Sequence, residues 1–96
     1  MDPTAAEALD QLNQLGQHGG LMGPCHVLTF CGLRQAKGGA QQEVTVDILD
    51  RGPYPRGAPV RYSAHATTAD GKSAAGNPAD SIRGALLNVH WHDLDR

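Results

Sequence analysis

The chain ends in a group of side chains that often bind metal ions, with His90 and His92 on either side of Trp91. If this segment is helical, residues two apart point about 200° away from each other and cannot share an ion. If it is extended, both imidazoles lie on one face, and His26, His65 or a cysteine supplies a third ligand. The helical interpretation is favoured, because cationic histidines suit the negative end of a helix. We therefore predict no metal site.

The sequence contains no motif with the spacing that nucleophilic catalysis or nucleotide binding needs. Cys25 and His26 are neighbours, but adjacent residues of a strand point to opposite faces, so they cannot act as nucleophile and base. The Gly-Lys-Ser segment 71–73 matches the end of a phosphate-binding loop, but Ala66 stands where that motif needs its first glycine. We therefore expect no enzymatic activity and no cofactor.

The segment 51–59 carries three prolines and two glycines, so it is predicted to be an exposed loop that cannot join a sheet. Arginine and tyrosine are enriched at protein interfaces, and prolines reduce the entropy lost when a loop docks. The predicted binding residues combine this loop with the exposed face of the strand after it. They are Arg51, Tyr54, Arg56, Arg61 and His65. The alternative is a connecting loop in which Tyr54 packs over the sheet edge.

The two cysteines, Cys25 and Cys31, fall within one predicted strand. Six residues at about 3.3 Å each separate their Cα atoms by roughly 20 Å, whereas a disulfide tolerates about 7 Å. We interpret them as small buried residues in a reducing compartment. The sequence also has no apolar run long enough for a membrane span and no basic leader followed by an apolar run, so the expected location is the cytoplasm.

Alanine and leucine near the start of the chain recur at helical spacing and predict an amphipathic helix that ends at Gly16. Its apolar stripe comprises Ala5, Ala8, Leu9, Leu12 and Leu15. Two starting points fit the N-cap position. One is Asp2 followed by a proline, and the other is Thr4 with Glu7 three residues later.

Two-residue periodicity predicts consecutive strands in the middle of the chain. The predicted strands are 25–33, 43–50 and 60–67, with a short return strand at 72–75. Val44, Val46 and Ile48 share one face of the second strand, which predicts that they are buried. The first strand mixes apolar, aromatic and β-branched residues, so it is interpreted as buried on much of both faces.

Asn77 followed by Pro78 predicts the start of a final helix. The 96 residues form one domain by size, residues 1–96, and 40% apolar and 19% charged residues are ordinary for a globular protein. The predicted fold class is α+β: an N-terminal helix, an antiparallel sheet of three to four strands, and a C-terminal helix packed on one face.

This order of elements resembles that of the double-stranded RNA-binding domain, and a few residues are similar to that family's sequence pattern. The similar residues are Gly23, Pro24, His26, Phe30, Gly71, Ser73, Ala85 and Leu86. The resemblance implies an α-β-β-β-α fold that binds double-stranded RNA. The family's two phosphate-binding lysines would fall at Ala74 and Ala75, and the net charge is −2, so nucleic-acid binding is disfavoured.

Together these patterns predict a small accessory or interaction domain that binds a protein partner or forms a homodimer. Its expected contact surfaces are the 51–59 loop and the exposed sheet face, and the sheet edge serves equally well if the partner adds a strand. A weak nucleic-acid-binding module is the alternative. A metal-binding or small enzyme domain is the second alternative.

Overall fold

The computed structural model describes residues 2–21, 23–52 and 61–95, except for the side chain of Gln17. Within these ranges the elements are α1 (Pro3–Leu15), a first 3₁₀ helix (Gly16–Gly19), β1 (His26–Gln35), β2 (Gln41–Asp50), β3 (Tyr62–Thr68), β4 (Ser73–Ala75), α2 (Ile82–Asn88) and a C-terminal 3₁₀ helix (Trp91–Asp95). The predicted α+β class and order of elements are confirmed. None of the helices in the described ranges is long and apolar enough to cross a membrane.

The strands form one antiparallel sheet in the order β1-β2-β3-β4, so each strand lies beside its neighbour in the sequence. The turn from β1 to β2 passes through Gly38 and Gly39, whose φ angles of 92° and 89° lie in the left-handed region that favours glycine. Gly71, with φ 91°, has the same role between β3 and β4. Glycine at these positions therefore meets the backbone requirement of both turns.

One face of the sheet packs against the C-terminal elements, and we call it the packed face. Val44 and Ile48 of β2 and Ala64 and Ala66 of β3 lie on this face and are at most 6% exposed. Val46, between them, is half-buried. The buried cluster comprises Val44, Ala64, Ala66, Ala74, Ala85, Val89 and Leu94. The predicted inward face of β2 is confirmed for Val44 and Ile48.

The opposite side of the sheet, which we call the open face, carries the polar residues of the two central strands. Thr45 and Asp47 of β2 lie there beside Ser63, His65 and Thr67 of β3. All five are partly exposed. The sheet therefore has the one covered and one solvated face that is common in antiparallel sheets.

β1 differs most from its predicted form, because it is an edge strand. Among the residues that the structure describes, its neighbour in the sheet is β2 alone, and Val27, Leu28, Phe30 and Leu33 are 46%, 38%, 55% and 67% exposed. The prediction that segment 25–33 is buried on much of both faces is therefore wrong. The reason is topological: the order of the strands leaves the first one at the edge, while α2 packs over β3.

α2 begins later than predicted. Its N-cap is Ser81, whose hydroxyl accepts a hydrogen bond from the Gly84 N–H at 3.0 Å, and not Asn77. Ala79 exchanges two main-chain hydrogen bonds with Tyr62 of β3, at 2.9 and 2.8 Å. These bonds hold the chain extended through the segment where the sequence predicted the first turn of the helix.

α1 uses the first of its two predicted caps, since the Asp2 carboxylate accepts a hydrogen bond from the Ala5 N–H at 2.9 Å. Leu9 of the predicted stripe is buried, with 3% exposure, but Leu12 and Leu15 are 44% and 60% exposed. Much of the apolar stripe of α1 therefore faces solvent.

Candidate interaction surface

The structure describes only some of the predicted binding residues. Tyr54 and Arg56 lie outside the described residues, so their role stays a prediction. Arg51 stands at the start of the same loop and donates a hydrogen bond to a serine hydroxyl of β3 at 3.2 Å. His65 lies on the open face, where the sequence placed it.

Arg61, another predicted binding residue, is engaged within the fold. It donates two hydrogen bonds to the Asp50 carboxylate, at 2.7 and 3.1 Å, and its guanidinium lies 4.8 Å from the Tyr62 ring centroid. Burial raises the pKa of Asp50, but the hydrogen bonds from Arg61 and from the Gly52 N–H outweigh it, so this pKa lies below its ordinary value. Arg61 therefore stabilises the ends of the 51–61 connection.

Asp47 links three strands of the open face. The Thr29 hydroxyl of β1 donates to one carboxylate oxygen at 2.7 Å, and His65 Nε2 of β3 lies 3.1 Å from the other. A catalytic triad places its nucleophile at the imidazole and its carboxylate behind the imidazole. Here the Thr29 hydroxyl lies at the carboxylate instead. The Asp47 carboxylate can therefore orient His65, but His65 is not placed to activate Thr29.

The C-terminal histidines lie close together although they are two residues apart. The rings of His90 and His92 stack with their centroids 5.8 Å apart. The expectation that they sit on an α-helix is wrong, because α2 ends at Asn88 and a 3₁₀ helix begins at Trp91. Within the described ranges, no group of three His, Cys, Asp or Glu side chains has the arrangement of a metal site.

Both cysteines are unpaired thiols. Cys25 is half-buried, whereas Cys31 is exposed on β1, with its Sγ 4.0 Å from the Thr45 hydroxyl. The interpretation of both cysteines as buried residues is therefore wrong for Cys31. Cys31 lies beside Thr45 on the open face, which is solvated.

β1 presents an open backbone edge. Main-chain hydrogen bonds from Ala36 to Ala40 and from Arg51 to Arg61 set the alternation of the ladder, so the even-numbered residues of β1 bond to β2. The N–H and C=O groups of the odd-numbered residues point away from the sheet. Those residues are Val27, Thr29, Cys31, Leu33 and Gln35. Within the described residues, no main-chain hydrogen bond outside the sheet reaches these groups.

The opposite edge of the sheet, formed by β4, is protected. β4 has three residues, and the His90 N–H donates to the Ala75 carbonyl at 3.1 Å. β1 has ten residues and no proline, and its arginine, Arg34, is paired with Asp95 at 2.8 Å. Proteins usually protect sheet edges with short strands, prolines, lysines or covering segments. Within the described ranges β1 has none of these protections and is therefore suited to pair with another strand.

An apolar groove of about 690 Å³ lies on the packed face between α2 and β1. Its lining consists of Phe30, Val46, Ile48, Ile82, Arg83, Leu86, Leu87 and Trp91. Past Trp91 a second depression, of about 340 Å³, continues over Gly32 and Val44. We call the groove and the depression together the apolar groove. The described part of the chain therefore leaves apolar surface uncovered directly beside the open edge.

Comparison of the chain with protein-family models, curated proteins and solved structures finds no match. The resemblance to the double-stranded RNA-binding domain therefore stays a prediction. Arg34 and Arg61 are both held by carboxylates, so they are poorly placed to bind phosphates.

Proposed function

We propose that this chain is a small accessory domain that binds a second copy of itself through antiparallel pairing of the two β1 strands. The role is binding and not catalysis. A reducing, cytoplasmic compartment, expected from the unpaired cysteines, is part of the proposal. Pairing would join the two sheets into one, with four strands from each copy.

The observation that carries this proposal is that β1 is self-complementary about Phe30. When Phe30 lies opposite Phe30 of the second copy, Val27 lies opposite Leu33 and Leu28 lies opposite Gly32. Each large apolar side chain exposed on β1 then has an apolar or small neighbour. The outward groups of the odd-numbered residues make about eight main-chain hydrogen bonds in this register.

The same register places the most favourable side-chain contact at the symmetry axis. Phe30, which is 55% exposed in the single chain, falls in a non-hydrogen-bonded pair, where opposing side chains are closest. An aromatic pair contributes about 0.5–1.5 kcal/mol beyond the area that it buries. A second copy therefore fits this edge better than an unrelated extended peptide, whose side chains would not match on both faces.

Cys31→Pro tests the edge, with Cys31→Ser as its matched control. Proline removes an outward N–H and places its ring where the second strand approaches, while the bonds to β2 come from even-numbered residues and remain. We expect the dissociation constant to rise about 100-fold for Cys31→Pro, since two symmetry-related hydrogen bonds are lost and the approach is blocked. The serine variant should match the wild type in sedimentation equilibrium from micromolar to millimolar concentration.

A second variant keeps the test decisive if proline disturbs the fold. Val27→Lys combined with Leu33→Lys places two charges on the exposed surface of β1 and should also give a monomer. Circular dichroism melting of each variant reports whether the fold is intact. A wild-type protein that stays monomeric throughout, or folded edge variants that keep the mass of a dimer, would refute the proposal.

A further inference from the structure

The apolar groove is elongated along β2. Val46 and Trp91 line both of its parts, whereas Ile48 lines only the larger part and Val44 only the smaller one. The groove therefore follows β2 from Ile48 to Val44, a distance of about 13 Å at the rise of a strand. Across the groove, α2 packs over β3, which lies two strand spacings, or about 10 Å, from β1. A helix has a diameter of about 10–12 Å, so α2 itself takes about half of this width. The shape suits an extended chain better than a partner helix or a flat ring.

The lining of the groove has the composition of a small-molecule site. Such sites have volumes of about 300–1,000 Å³, are mostly apolar, and contain a few polar groups that orient the ligand. The larger part of the groove has a volume of about 690 Å³, and seven of its eight lining residues are apolar. The exception is Arg83, which lines the larger part and not the smaller one. The groove therefore has one cationic end and an apolar remainder.

Arg83 is available to a ligand. Arg34, which lines the smaller part of the groove, is held by Asp95 at 2.8 Å, and Arg61 is held by Asp50 at 2.7 Å. Arg83 is exposed, and within the described residues its side chain has no hydrogen bond or ion pair. A guanidinium binds a carboxylate through two parallel hydrogen bonds. The complementary ligand is therefore an anion with a long apolar body.

We infer that the apolar groove binds a medium-chain fatty acid, whose carboxylate pairs with Arg83 and whose alkyl chain lies over Val46 toward Trp91. The chain would cover apolar side chains that the described part of the protein leaves exposed, such as Leu87, which is 68% exposed. The site lies within a single copy. Pairing of the β1 strands uses the backbone edge and leaves the packed face open, so the two proposals are independent.

Trp91 is the single tryptophan of the chain and lines both parts of the groove, so its fluorescence reports occupancy. The probes are sodium octanoate, decanoate and dodecanoate, each below its critical micelle concentration. We expect each acid to move the emission maximum to shorter wavelength and to saturate at one ligand per chain. The dissociation constant should fall about two- to fourfold for each added CH₂ group that the groove buries.

Two variants separate the carboxylate contact from the apolar contact. Arg83→Gln should raise the dissociation constant of decanoate about fivefold, as expected for an exposed ion pair, and leave that of uncharged 1-decanol unchanged. Lys72→Gln removes the same charge beside β4 and is the matched control. Leu87→Ala should weaken both ligands about threefold. Leu15→Ala alters a similarly exposed leucine of α1, with 60% exposure, and should weaken neither.

Three results would overturn the inference, provided that circular dichroism melting shows each variant to be folded. The first is the absence of a saturable Trp91 shift with all three acids at millimolar concentration. The second is an Arg83→Gln variant that binds decanoate as the wild type does, or that loses decanoate and 1-decanol equally. The third is a Trp91 shift that grows with protein concentration and is reversed by decanoate, since a second copy would then occupy the groove.

Discussion

Gly76→Ala is expected to destabilise the fold strongly, because Gly76 lies where the chain after β4 passes the end of α2. A Cβ at this position would lie 2.0 Å from the Asn88 carbonyl oxygen and 2.3 Å from the carbonyl carbon. Both are main-chain atoms, so no change of side-chain rotamer can relieve the overlap. The two segments are also joined by hydrogen bonds from the His90 N–H to Ala75, at 3.1 Å, and from the Asn88 side chain to Asn77, at 2.9 Å.

The size of the expected destabilisation follows from the main-chain shift that the new Cβ requires. The end of α2 would have to shift by about 1.5 Å to restore an ordinary carbon–oxygen contact. Overpacking of this kind costs about 1–3 kcal/mol, and each of the two hydrogen bonds at risk contributes about 0.5–1.5 kcal/mol. We therefore expect Gly76→Ala to lower the free energy of unfolding by about 2–6 kcal/mol, a large part of the stability of a domain of this size.

Urea unfolding followed by circular dichroism measures this loss at a concentration where the protein is monomeric. The melting temperature should fall by at least about 10 °C. Gly19→Ala is the control: a Cβ at Gly19 meets nothing within 4 Å, and its effect should stay within about 0.5 kcal/mol. If Gly76→Ala lies within about 1 kcal/mol of the wild type, the close approach of the two segments described above is wrong.

Two further predictions concern an ion pair and the register of the dimer. Hydrogen bonds from Arg34 and from the Lys37 backbone N–H hold the pKa of Asp95 well below its usual range. The ionised Asp95 therefore stabilises the fold above the ordinary pKa of about 4, and this stabilisation is lost as pH falls below it. Urea midpoints measured from about pH 5 down to 2 should therefore fall more steeply for the wild type than for Asp95→Asn, and equal slopes would contradict this. For the register, Phe30→Cys in a Cys25→Ser, Cys31→Ser background should form an intermolecular disulfide on mild oxidation, since non-hydrogen-bonded partners lie within disulfide reach. Absence of this cross-link in a protein that sediments as a dimer would show a different register.

Local patterns in the sequence determined several elements of this protein. The alternation in β2 placed Val44 and Ile48 in the core, because successive side chains of a strand point to opposite faces wherever that strand lies. The cap at Asp2 was also predicted, and the glycine pair at 38–39 is typical of a turn, since each feature depends on the conformation of only a few neighbouring residues.

The tertiary structure alone decided which strand became the edge and which charges were paired. The apolar residues of β1 are typical of a buried strand, and nothing within 25–33 indicates that it pairs with just one of the described strands. Likewise the sequence predicted Arg61 as a binding residue, but in the fold its guanidinium binds Asp50, which lies eleven residues earlier in the chain. Periodicity specifies the two sides of a strand, but the number of its neighbours depends on contacts between residues far apart in the sequence, which no local pattern encodes.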